Sequence, residues 1–251
     1  MNSDGRASAQ SSEQEDDRRV PAGERVLSYI LAEMDAGALQ PGERVNAARI
    51  AATLNLSLAP VREALSVLAG RGVLDLLPDR GAIMRRLTPT DVVQLWEVLA
   101  PIAAKGLELA AQVVATGSAN TNQVVQTFAA IGHEPLAVPP LKFILRLNDY
   151  HFAVNRLAGN PYLTVALETL GVPYWDRYLV ELIDVHANLE GYLTNYRRMH
   201  ESLMAGDGPA AAAVLHYHAN WSVKLVREGE ARLAASSSSR RRRHPKNSAA
   251  R

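Results

Sequence analysis

Along the first part of the chain the apolar positions change period twice. Between Gly23 and Ala36 they fall at Val26, Leu27, Ile30, Leu31 and Met34, the one-sided stripe of a helix. Gly37 ends that stripe and Pro41-Gly42 turns the chain. A short helix over about Ala47–Leu54 carries Ile50, Ala51 and Leu54 inward, and Asn55 closes it. Ser57 stands where an N-cap belongs, and Pro60 follows in the first turn, where a missing N–H costs least. The third helix runs to about Ala69 with Val61, Ala64, Leu65 and Leu68 on one face. After Arg71-Gly72 the helical period stops. Two short apolar runs, Val73–Leu77 and Ala82–Arg86, flank the turn Pro78-Asp79-Arg80-Gly81 and predict a β-hairpin. Three helices plus a β-hairpin predict a winged helix-turn-helix over residues 22–87.

From Thr88-Pro89-Thr90-Asp91, which reads as a cap and a helix start, the helical period persists almost to the end. Helices are predicted over 90–115, 119–131, 138–158, 161–186, 189–205 and 208–233. The breaks carry Gly117, Gly132 with Pro135, Gly159-Asn160-Pro161 and Gly206-Asp207-Gly208-Pro209. Pro101 lies inside the first helix and predicts a kink. Six such helices predict an all-α bundle over residues 88–233. The fold class is therefore mainly α.

Composition narrows the chemistry. The 251 residues contain no cysteine, so disulfides, thiolate metal sites and cysteine nucleophiles are excluded. Residues 1–21 are polar with almost nothing to bury, and 234–251 are low-complexity; both are predicted to be disordered tails. The bundle segment 88–231 holds 14 acids against 9 bases, too acidic to be a DNA-binding part, so sensing or dimerisation suits it better. The end of the chain, 232–251, holds seven bases and no acid. Its run Arg240–Arg243 reads either as a non-specific phosphate binder or as a solvated tail. No uninterrupted apolar run reaches the roughly 18 residues of a membrane span, and no signal peptide is evident. A cytoplasmic protein without membrane contact is expected.

The first unit also carries a resemblance. Leu39-Gln40-Pro41-Gly42-Glu43-Arg44-Val45, Ile50-Ala51, Leu56-Ser57-Leu58-Ala59-Pro60-Val61-Arg62-Glu63-Ala64-Leu65, Leu68 and Gly72-Val73-Leu74 resemble the DNA-binding domain of the GntR family of bacterial transcription regulators. The resemblance implies that the N-terminus of the third helix enters the major groove. It places Arg49 and Arg62 on phosphate or base edges, Ser57 on a phosphate, and Arg80 and Gly81 at a wing tip in the minor groove. The family usually has Arg-Thr where this chain has Leu58-Ala59. Two polar contacts are thus replaced, and Leu58 is suited to a thymine methyl group. An operator different from the family norm is expected.

The second unit resembles the effector domain of the FadR subfamily, the FCD domain, through Tyr150-His151-Phe152-Ala153-Val154, Ala158-Gly159-Asn160-Pro161-Tyr162-Leu163, His200, Gly206-Asp207 and His218. In such domains one aspartate and three histidines hold a divalent metal, and a small carboxylate effector binds beside or on it. His151, His200 and His218 match the histidine positions. The aspartate position, four residues before His151, is Leu147, with Asn148 one step round the helix. Three imidazoles suit zinc or nickel with open positions, at reduced affinity. An arginine usual in the subfamily is replaced by Leu99. With Leu99 and Leu147 both apolar, the pocket is expected to favour a more hydrophobic effector than a small dicarboxylate.

Three functions follow. The first is a ligand-responsive transcriptional regulator, a repressor by expectation and a homodimer on a palindromic DNA operator, because one wing domain contacts only a half-site. The second is a dimeric DNA-binding protein that needs no effector. The third is a histidine–metal enzyme, against which stand the absence of HExxH and of a placed general base. No P-loop, dinucleotide fingerprint or GxSxG is present, so the protein is not expected to be an enzyme.

Overall fold

The computed structural model describes residues 20–78, 81–170 and 173–243, with side chains through residue 235. The chain divides into two compact units, residues 1–86 and 87–251. Expectations for the two termini therefore fall largely outside the described residues, as does that for Arg80.

The first unit is built as the period predicts. Helix α1 (Ala22–Asp35) buries Val26, Ile30 and Leu31. Helix α2 (Ala47–Leu54) starts at Asn46, whose side chain accepts the backbone N–H of Arg49, and ends at Asn55 in the left-handed conformation, φ 50°. Asparagine tolerates that backbone better than most residues. Helix α3 (Leu58–Gly70) has Ser57 at its N-cap, although the serine side chain makes no capping hydrogen bond, and buries Val61, Ala64, Leu65 and Leu68. The hairpin is present as β2 (Leu74–Leu77) and β3 (Gly81–Met84). It gains a third strand that the pattern did not predict, β1 (Arg44–Val45), giving the antiparallel order β1-β3-β2. Arg44 pairs with Ile83 and Val45 with Ala82. Two residues are too few for an alternation to be read, so only the pairing with β3 defines this strand.

In the second unit, helix α4 (Pro89–Ala115) opens with a full capping box. Thr88 Oγ1 accepts the Asp91 N–H at 3.2 Å, while the Asp91 carboxylate accepts the Thr88 N–H at 2.8 Å. Such reciprocal caps contribute about 1 kcal/mol. Helices α5 (Asn122–Gly132) and α6 (Pro140–Ala158) follow, the latter closed by Gly159 at φ 70°. The single helix predicted over 161–186 is two, α7 (Pro161–Leu170) and α8 (Pro173–Leu182). Pro173 opens α8, in the first turn where its missing N–H costs least. Helices α9 (Leu189–Met204) and α10 (Gly208–Arg243) complete the bundle. Helix α10 runs ten residues beyond the predicted end at 233, into the segment predicted as a disordered tail; Ala and Ser leave no breaker there to stop it.

Helix α4 lies at the centre, packed against α6, α7, α9 and α10. Its inner face is built of Ala103, Ala104, Gly106, Leu107, Ala110 and Ala111, all buried. By length and composition α4 is apolar enough to cross a membrane, although Glu97, Lys105 and Glu108 interrupt its apolar run. Here that apolar surface forms the core of a bundle.

Candidate functional site

Two features stand out, one in each unit. In the first unit the N-terminus of α3 faces solvent: Ser57, Leu58, Ala59 and Arg62 are all exposed, Leu58 by 42%. The free N–H groups at a helix start and its dipole favour phosphate. Arg62 lies one turn further along, in a groove whose other wall is Leu76, Leu77 and Gly81 of the hairpin. Helix α3 and the hairpin thus line one continuous groove. Arg49, on α2, is exposed and paired with the Glu33 carboxylate of α1. An exposed pair of this kind is worth less than about 1 kcal/mol, too little to hold Arg49 from a phosphate.

In the second unit the helices line a partly open cavity of about 140 Å³. Its wall includes Leu99 from α4, Leu147, Asn148 and His151 from α6, Asp176 from α8, Tyr192 and Tyr196 from α9, and His218 and Ser222 from α10. Leu99, Leu147 and Asn148, the three positions singled out by departure from the subfamily pattern or by neighbourhood to it, all line the cavity.

The three histidines are not all brought together. His151 and His218 line the cavity. His200 instead stacks flat on Phe128, ring centroids 3.9 Å apart and planes within 6°, with Nδ1 3.4 Å from the Tyr150 hydroxyl. His151 Nε2 shares a 2.9 Å hydrogen bond with the Tyr196 hydroxyl, and Asn195 Nδ2 donates to His218 Nδ1 at 3.2 Å. Among the described residues, no three histidine, aspartate or glutamate side chains gather at metal-ligand spacing.

Burial sets the charge state. It pushes His151 down to about 4 and His218 down to about 3, the latter helped by the nearby His151. Both imidazoles are therefore neutral at pH 7. Asp176 is pushed up to about 7 by burial, against the opposing pull of the Asn148 hydrogen bond and the Arg177 charge. Asn148 Nδ2 donates to Asp176 Oδ2 at 2.8 Å. No lysine or arginine lines the cavity among the described residues. Of the arginines that could have met a carboxylate, Arg146 donates to the His133 carbonyl, Arg156 to Gln123 and Arg177 to the Pro173 carbonyl. Three buried polar atoms on the wall lack a protein partner: His151 Nδ1, Tyr192 Oη and Ser222 Oγ. Buried polar groups are rarely left so unless a ligand or water meets them.

The pKa shifts make a pH dependence. His151 and His218 bind protons more readily unfolded than folded, so they destabilise the fold as pH falls from about 6.5 toward 4. Asp176 keeps its proton to higher pH when folded, so it stabilises the fold as pH falls from about 7 to 4. Two imidazoles outweigh one carboxyl by about one proton near pH 5. Asp176→Asn removes the opposing group. The loss of stability on acidification should then steepen by about one further proton, roughly 1 kcal/mol per pH unit. Denaturant titrations in chelator at several pH values measure this; parallel slopes for wild type and variant would show that Asp176 ionises as it does in water.

Sequence reasoning missed Asp176, Tyr192, Tyr196 and Ser222. Asp176 had one signal: it precedes the buried Leu179 by three, on the apolar stripe of its helix. An acid on such a stripe is aimed inward.

Residues 22–83 match the family described as bacterial regulatory proteins, gntR family. Over 200 residues, 80% of the chain and 86% of the relative, it is 27% identical to a protein of Paenarthrobacter nicotinovorans named "Probable D-xylose utilization operon transcriptional repressor". A 73-residue stretch, 29% of the chain and 35% of the relative, is 36% identical to the Nta operon transcriptional regulator of Aminobacter aminovorans. Among solved structures, a GntR transcriptional regulator from Rhodococcus sp. RHA1 aligns with TM-score 0.62 at 20% identity, covering 81% of this chain and 96% of that one. Escherichia coli McbR/YncC aligns at 0.56 and 20% identity, covering 83% and 98%. These structural likenesses concern the fold.

Proposed function

We propose that the chain, whose residues 22–83 match the gntR family of bacterial regulatory proteins, is a ligand-responsive, DNA-binding transcriptional regulator of that family and of the FadR type. The first unit reads an operator, and a small molecule in the bundle cavity sets how tightly it does so. The observation that carries this reading is the joint exposure of Ser57, Leu58, Ala59 and Arg62 at the start of α3, within the segment matched to the family. A homodimer on a palindromic site follows from the half-site that one wing domain covers, and cytoplasmic residence with the DNA follows from that role. Repression is the sign favoured by the name of the Paenarthrobacter relative. The effector acts by favouring one of two populated arrangements of the dimer. Three unpartnered polar atoms on the cavity wall favour an effector over the effector-free dimer.

The family resemblance points to a carboxylate effector and to zinc or nickel. A metal here would take His151 and His218 as imidazole ligands, and His200 only after leaving Phe128. Their neutral state suits ligation, and the metal would supply a positive charge for a carboxylate. Selection of binding sites from random duplex DNA, followed by titration at fixed salt, tests the DNA-binding reading. A palindromic sequence bound at least about a thousandfold tighter than competitor DNA is expected; binding without sequence preference would remove it.

A further inference from the structure

We infer that the bundle cavity binds a small, largely apolar molecule bearing a protonated amine, with the Asp176 carboxylate as its counter-ion. This rests on the regulator reading only in calling the occupant an effector; the site itself stands on the cavity. Asp176 is the acid on a wall that, among the described residues, carries no lysine or arginine. Without a metal on the histidines, a carboxylate ligand would meet a second carboxyl there and no lysine or arginine. An ammonium meets the charge that the cavity lacks, and like charges buried together are strongly disfavoured. Burial lifts Asp176 to about 7, even against the pull of the Arg177 charge.

The rest of the wall suits such a cation. Trp96, Tyr192 and Tyr196 line the cavity, and aromatic faces attract ammonium groups most strongly where water is excluded. Tyr192 Oη and Ser222 Oγ, on residues 2% and 1% exposed, have no protein partner and offer acceptors for the remaining N–H groups. The volume of about 140 Å³ is close to the ~150 Å³ of an engineered cavity that admits benzene. The body of the ligand is therefore of the order of one ring. Asn148 holds the Asp176 carboxylate in place from the neighbouring helix.

The test is calorimetric titration of the full chain with three probes of one shape: benzylamine, benzyl alcohol and benzoate. Benzylamine is expected to bind at least tenfold tighter than benzoate. Asp176→Asn should cost the amine at least tenfold and leave benzyl alcohol within about threefold, which also shows that the variant is folded. Should that variant not fold, the order of the three probes on wild type decides. Benzoate binding as well as or better than benzylamine, or no benzylamine binding at millimolar concentration, overturns the amine site. The same probes are added to the protein on its selected operator. Benzylamine that binds without changing DNA affinity counts against the regulator reading and leaves the amine site standing. DNA affinity that answers to benzoate alone keeps the regulator and overturns the amine.

Discussion

Arg62→Ala is expected to weaken binding to the selected operator by about 1–3 kcal/mol, roughly five- to more than a hundredfold, the range for a lost bidentate contact to a base. Arg62 is exposed on α3, one turn from Leu58, and shares a groove with Leu76, Leu77 and Gly81 of the hairpin. Its neighbours at the helix tip, Leu58 and Ala59, cannot donate hydrogen bonds through their side chains. Arg62 therefore carries a larger share of the polar reading than it would beside the usual Arg-Thr pair. Two readouts separate a base contact from a phosphate contact. If Arg62 reads a base, discrimination among sequences relaxes at one position in each half-site. If it only meets phosphate, binding weakens on all sequences alike and the salt dependence drops by about one charge. Arg49→Ala is expected to show that second pattern, since Arg49 sits on α2 and breaks only an exposed pair with Glu33. Unchanged affinity of Arg62→Ala at fixed salt would displace the recognition surface from the start of α3.

Gly229→Ala is expected to destabilise the bundle by about 1–3 kcal/mol, the usual cost of forcing extra atoms into a packed contact. Glycine inside a helix normally gains about 1 kcal/mol on replacement by alanine, so the sign depends on what the new methyl meets. At Gly229 it would fall on the backbone carbonyl of Leu182, at the C-terminus of α8. A carbonyl cannot swing aside as a side chain can, so α10 or the end of α8 must move. The same carbonyl accepts a hydrogen bond of 2.9 Å from Arg232 Nη2, one turn along α10, and movement strains that bond too. The reverse sign is expected at Gly70, the last residue of α3, where nothing lies within 4 Å of the added carbon. Gly70→Ala should raise stability by up to about 1 kcal/mol. Thermal melts of the two variants side by side measure the contrast, and a Gly229→Ala protein that melts no lower than wild type would show that the two helices part without cost.

Much of the first unit was legible because its signals are short-range. The stripes on α1, α2 and α3, the left-handed Asn55 and the N-cap position of Ser57 each depend on a few consecutive residues. The same holds for the capping box of Thr88 and Asp91. Strand β1 was not legible, because its two residues become a strand only by pairing with β3, almost forty residues away. The division of 161–186 was legible in principle at Pro173 and was passed over, since the apolar period continues on both sides of it.

The cavity shows the boundary most clearly. The resemblance to the FCD domain pointed to Leu99, Leu147, Asn148, His151 and His218, and periodicity added only that His151 and His218 lie on inward helix faces. The resemblance grouped His200 with them too, since a sequence pattern assigns a position and not a spatial partner. Only the packing of α5 against α6 and α9 sends His200 onto Phe128. Asp176 meets Asn148 across 28 residues of sequence, and Tyr196 meets His151 across 45. Such meetings depend on how the helices stack. Thus the sequence by itself determined the helical architecture, the segment matched to the gntR family and the apolar character of the pocket. The tertiary structure decided the charge inside that pocket, because a carboxyl and two imidazoles take their protonation from whatever surrounds them.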